Sequence, residues 1–98
     1  MMFKEILQKL ENAVNPVAQV VQNTSCSKVI VIAFKKGMIL KEHKTDIPAK
    51  LLVIKGNVIY KEQNQQEELF LYDEKDIPAA VLHSVEAIED SLCLLFKG

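Results

Sequence analysis

Two histidines, His43 and His83, are the only imidazoles in this chain. Imidazole can ligate a metal, move a proton near neutral pH, or accept a hydrogen bond from a small molecule. His43 opens the stretch "HKTDIPAKLLVIKG", residues 43–56, in which a polar loop leads into an apolar run and a glycine. On a strand, residues i and i+2 share a face. His43 and Thr45 therefore face one way together, Ala49, Leu51 and Val53 share a face of the next strand, and Val81, His83 and Val85 share a face of a third. The inward set is then two imidazoles, a hydroxyl and aliphatic side chains.

That set is poor in metal ligands. Catalytic zinc sites use about three protein ligands plus water, and non-haem iron sites use two histidines and a carboxylate. Here the threonine hydroxyl is a weak ligand, Ala49 supplies nothing, and Lys50 would add positive charge. Strand alternation aims Glu42 at the face opposite His43. Asp46, in the loop, is the one carboxylate that can turn inward, so a rebuilt site would consist of His43, His83 and Asp46. Other chemistry is thinner. Ser84 neighbours His83 on a strand, so a nucleophilic set of Ser84, His83 and Asp90 would have its first two members pointing apart. Tyr60 and Tyr72 sit at strand ends and read as packing residues. Cys93, in "SLCLLF", reads as a small core residue.

The elements that must position the histidines follow from hydrophobic periodicity. Phe3, Ile6, Leu7 and Leu10 fall at helical spacing with charged residues between them, and Asn15-Pro16 stops the helix. Beyond Pro16 the runs "VAQVVQN", "KVIVIAF", "MILKE", "KLLVIK", "NVIYKE", "EELFLY", "AVLHSV" and "SLCLLF" read as short strands. Turn signals separate them, with Gly56-Asn57 the strongest hairpin signal. The brief "EQNQQEE" reads as a solvated hairpin tip. Eight short strands at this spacing predict an all-β sandwich or barrel with a short N-terminal helix.

With 98 residues there is room for one domain, a helix over about 2–12 and a barrel over about 17–97. The apolar half of the composition excludes a disordered chain. A net charge of -1, with mixed signs and no basic stripe, gives no reason to expect nucleic acid. No apolar run is long enough for a membrane span. The charged N-terminal stretch and two unpaired cysteines, Cys26 and Cys93, set the expectation of a cytoplasmic protein.

The spacing around the histidines resembles the cupin superfamily, whose two motifs are G-x5-H-x-H-x(3,4)-E-x6-G and G-x5-P-x-G-x2-H-x3-N. Gly37, His43 and Gly56 fit the first, with Thr45 in place of its second histidine and Ala49 or Lys50 in place of its glutamate. Pro78 and His83 fit the second, with Tyr72 and Ala80 in place of its glycines and Ala87 in place of its asparagine. The resemblance spans about residues 28–96 and implies a jelly-roll barrel with a degenerate metal site. It implies a ligand pocket of His43, Thr45, Ala49, Leu51, Val81 and His83, which takes a small molecule or serves an interaction, probing a ligand on behalf of a partner protein being a variant of that role. No cofactor is expected. The alternative is a metal-dependent dioxygenase or isomerase holding zinc, nickel, iron or manganese through His43, His83 and Asp46.

A homodimer is also expected. Leu52 and Ile54 lie on the strand face opposite Leu51 and Val53, where a half-exposed sheet would carry polar residues. The helix or a second subunit must cover them.

Overall fold

The computed structural model describes residues 2–98. One helix, α1 (Met2–Glu11), precedes nine strands: β1 (Val17–Asn23), β2 (Lys28–Phe34), β3 (Ile39–His43), β4 (Ala49–Lys55), β5 (Val58–Glu62), β6 (Gln65–Leu69), β7 (Glu74–Ile77), β8 (His83–Ala87) and β9 (Ser91–Lys97). They form a five-stranded sheet in the order β1-β2-β9-β4-β7 and a four-stranded sheet in the order β3-β8-β5-β6. Every pairing is antiparallel. Removing β1 from the edge leaves two four-stranded sheets with the connectivity of a jelly roll. The core lies between them. Ile32, Phe34, Leu51, Val53, Cys93 and Leu95 face it from one sheet, and Val58, Tyr60, Leu69, Val85 and Ala87 from the other.

Three expectations about the strands need correction. Phe70, Leu71 and Tyr72 do not extend β6; they form an exposed turn held by Asp73, whose carboxylate accepts from the Phe70 N–H at 2.8 Å. The charged segment after it, read as a turn, is β7, which pairs with β4. Gly56-Asn57 is not a hairpin loop. It joins β4 in one sheet to β5 in the other, so its turn carries the chain across the sandwich. The two-residue hairpin is Gln63-Asn64, between β5 and β6, inside the polar tract read as a solvated tip.

Helix α1 buries Ile6 and Leu10 against Val31 and Ala33 on the outer face of β2, with Leu92 and Leu94 of β9 beside them. Leu7, on the flank of the stripe, stays exposed. Leu52 and Ile54 lie outside this cluster and are half-buried, with Phe96 exposed on the same sheet. The helix therefore covers the β2–β9 side of the outer face and not the β4 side.

The backbone keeps glycine geometry where the sequence has lost glycine. Gly37 and Gly56 have φ of 86° and 75°, and Tyr72 and Ala80, which replace the second motif's glycines, have φ of 70° and 64°. A side chain in this left-handed region costs about 1–2 kcal/mol. Ala80→Gly should therefore raise stability by about 1 kcal/mol, visible as a higher urea midpoint; an unchanged or lower midpoint would show that Ala80 carries no strain.

Candidate functional site

β3 and β8 are neighbours, and His43 is the register partner of His83. Partners across an antiparallel pair share a face, so the two rings meet, with centroids 4.3 Å apart and planes tilted by 59°. His83 is buried and His43 half-buried. The Nδ1 of His43 lies 2.9 Å from the Lys41 carbonyl oxygen, and that of His83 lies 3.1 Å from the Val81 carbonyl oxygen. A carbonyl only accepts, so in each ring Nδ1 carries the proton and donates it. With Nδ1 as the donor, a neutral ring keeps its lone pair on Nε2.

The row continues past His83. β5 flanks β8 on its other side, and Glu62 is the partner of His83 there. One rung of the sheet thus reads His43, His83, Glu62 across three strands. Tyr60, two residues before Glu62 and on the same face, stacks on His83 at 5.7 Å and donates its hydroxyl hydrogen to Glu62 Oε2 at 2.7 Å. Lys75 on β7 holds its Nζ 5.5 Å from the centroid of the Tyr60 ring and pairs with Glu67 at 3.0 Å. Burial, helped by the Glu62 carboxylate, pushes the Tyr60 hydroxyl well above the usual phenol range. The sequence reading placed Tyr60 among packing residues and read no role into Glu62. The signal was there, because Val58, Tyr60 and Glu62 alternate onto one face of their strand.

The remaining expected residues fall as follows. Thr45 is buried, and its Oγ1 is without a hydrogen-bond partner among the described residues. Ala49 and Leu51 face inward from β4 and belong to the core cluster. Val81 precedes β8 and contributes its carbonyl to His83. Asp46 is exposed and lines a separate hollow of about 340 Å³ with Cys26, Lys28 and Lys97, away from the histidines. The combination of His43, His83 and Asp46 is therefore not brought together, because the loop after β3 turns that carboxylate outward. His43 borders a different hollow of about 410 Å³, lined also by Asn15, Pro16 and residues 39–42. His83 is not among its lining residues.

Two comparisons with known proteins return nothing: no family model and no curated protein matches the chain. Solved structures do match. A cupin superfamily protein from Desulfitobacterium hafniense superposes with a TM-score of 0.81 at 14% identity, over 88% of this chain and 79% of that one. An RmlC-like cupin from Desulfovibrio desulfuricans gives 0.78 at 20% identity, over 89% and 90%. An RmlC-like cupin with a double-stranded β-helix fold from Methanocaldococcus jannaschii gives 0.78 at 18% identity, over 89% and 83%. This chain has the cupin fold.

The cupin fold raises the question of a metal between the histidines. Both rings donate Nδ1–H to a backbone carbonyl, as metal-bound imidazoles usually do. The rest of the donor set does not fit. Thr45 and Ala49 occupy the motif positions of two ligands, and the Glu62 carboxylate is held by Tyr60. Among the described residues, no three His, Cys, Asp or Glu side chains converge on a point that could hold an ion. Nucleophiles are equally scarce at this site. Burial pushes the Cys93 thiol up to about 12, so it stays protonated, and Ser84 points away from His83 toward the face of Lys61.

His83 has its pKa lowered, chiefly by burial and further by the neighbouring His43 ring, against opposing pulls from the Val81 carbonyl and Glu62. The unfolded chain therefore binds this proton more readily than the folded one. Stability from His83 is full above its ordinary value of about 6.5 and is lost as pH falls below it, until the lowered folded pKa is reached. The wild type should lose more stability than His83→Gln between pH 7.5 and 5.5, at no more than roughly 1.4 kcal/mol per pH unit. Equal losses in urea titrations of the two proteins would refute it.

Proposed function

We propose that this cupin-fold domain is a metal-independent, non-catalytic module that binds a small molecule at the His43–His83 pair. The observation that supports this most is the state of the two rings. Their centroids lie 4.3 Å apart, and each has committed its Nδ1 proton to the backbone carbonyl two residues before it. The Nε2 of each ring is thereby left as an acceptor, with Glu62 next on the rung and Tyr60 bonded to it. Building such a pair into a core costs stability, because His83 is buried and resists its charge. A bound ligand is a reason to retain it. Two free thiols agree with a reducing, cytoplasmic setting, which belongs to the same proposal.

The test uses protein purified without a histidine tag. Long-range ¹H–¹⁵N spectra of the imidazoles should show both rings protonated at Nδ1, and a mixture of small metabolites should shift both rings together. Elemental analysis should find metal far below one equivalent. Stoichiometric metal, or rings that ignore every mixture, would overturn the reading.

The half-buried β4 side of the outer face supports a homodimer as part of the proposal. Leu52, Ile54 and Phe96 form an apolar strip there that α1 leaves uncovered. Leu52→Lys sets a cation beside its register partner Glu74, so the fold should tolerate it while the strip becomes charged. Sedimentation should show dimer for the wild type at micromolar concentration and monomer for Leu52→Lys. A monomeric wild type would refute the interface.

A further inference from the structure

We infer that the ligand of the histidine pair is a small organic cation carrying N–H donors, of the guanidinium or primary ammonium class. This rests on the reading of the pair as a ligand site and adds the chemistry of what it holds.

The groups on the rung are acceptors. His43 and His83 present Nε2 lone pairs because their Nδ1 protons are already donated to Lys41 and Val81. Glu62, next on the same rung, is a half-buried carboxylate. It receives the Tyr60 hydroxyl at 2.7 Å, and among the described residues no cation pairs with it. The nearby ammonium, Lys75, is spent on Glu67 at 3.0 Å. Lys41 and Glu42, which line the hollow beside His43, offset each other, so Glu62 leaves the rung with one uncompensated carboxylate.

An anion would meet that carboxylate on the rung, where among the described residues no cation pairs with it. A neutral polyol would find few donors to match its own acceptors, since the tyrosine hydroxyl is already used. A guanidinium or ammonium satisfies both Nε2 atoms and the carboxylate with its own N–H groups. Thr45 Oγ1, buried two residues after His43 and without a partner among the described residues, is one further polar group in want of a ligand or water.

The experiment titrates the wild-type protein with methylguanidinium chloride, sodium acetate and glucose in turn, following both imidazoles by NMR. Methylguanidinium should shift both rings saturably, and acetate and glucose should not. Glu62→Gln should weaken the methylguanidinium response roughly tenfold or more, the worth of one charge-assisted hydrogen bond. If that variant does not fold, the three-probe comparison in the wild type decides alone. Saturable shifts of both rings by acetate or glucose, without methylguanidinium, leave the pair a ligand site and overturn the cation. An equal methylguanidinium response in folded Glu62→Gln also overturns it. Silence from all three probes and from the metabolite mixture overturns both the cation and the ligand site.

Discussion

Thr45→His together with Ala49→Glu should convert the histidine pair into a zinc site, raising zinc affinity over the wild type by roughly a thousandfold or more. The wild type offers two good ligands and the double variant offers four, at the spacing of the first cupin motif. Both positions are buried, at 5% and 7% exposure, so the new side chains would enter the interior and not solvent. The loop that carries Thr45 is fixed, its carbonyl accepting from the Ala80 N–H at 2.8 Å. Each imidazole already has the backbone hydrogen bond that orients a metal ligand. Without metal, the buried glutamate and the larger side chains should cost about 1–3 kcal/mol. Zinc should therefore raise the melting temperature of the double variant and barely move that of the wild type. Competition with a chelator measures the affinities. A folded double variant that gains nothing would show that Thr45 and Ala49 do not stand at the missing ligand positions. A wild type that holds zinc through dialysis against chelator would show that the site was never incomplete.

The parts of this fold that were legible in the sequence are those governed by local rules. The stripe of α1, the short apolar runs that form β2, β4, β8 and β9, and the stop at Pro16 follow from side-chain period and turn chemistry. The pairing of the strands does not. Gly56-Asn57 has the composition of a hairpin loop, yet in a jelly roll consecutive strands often belong to different sheets, and here the turn crosses between them. β7 was hidden because a four-residue edge strand, Glu74–Ile77, in which only Ile77 is buried, has the charge of a turn. Phe70 to Tyr72 misled in the opposite sense, being apolar enough for a strand but pinned as a turn by Asp73.

The site divided in the same way. His43 and His83 were found because a motif fixes their spacing, and their meeting follows from strand alternation once β3 and β8 pair. Glu62 and Tyr60 were missed because their place depends on β5 lying beside β8, a long-range fact that no local pattern records. The two lost motif glycines are a further instance. Composition says they are gone, and only the backbone shows that Tyr72 and Ala80 still adopt their geometry.

The crossing at Gly56 should be the most sensitive backbone position outside the core. Its φ is 75°, where a Cβ costs about 1 kcal/mol, and here the Cβ would also overlap the Asp90 carbonyl oxygen and Ser91 Oγ and meet Ser91 Cα at 3.0 Å. Those neighbours cannot easily give way. The single Ser91 Oγ proton is shared between the Glu89 carbonyl at 2.7 Å and the Asn57 carbonyl at 3.1 Å, and the Ile88 N–H donates to the Asn57 carbonyl at 3.0 Å. The crossing is thus stitched to the β8–β9 turn, and displacing it strains β8, which carries His83. Gly56→Ala should destabilise the domain by roughly 3–5 kcal/mol, the conformational term plus the cost of moving packed backbone. Gly37→Ala is the internal control. Its φ is 86°, but a Cβ there meets nothing within 4 Å. That variant should lose only about 1 kcal/mol, which for a domain of this size is a fall in melting temperature of about 4–8 °C. Gly56→Ala should fall about three times as far or fail to fold. Equal losses at the two positions would show that the crossing is free to move, and that the connection between the sheets does not fix the strand bearing His83.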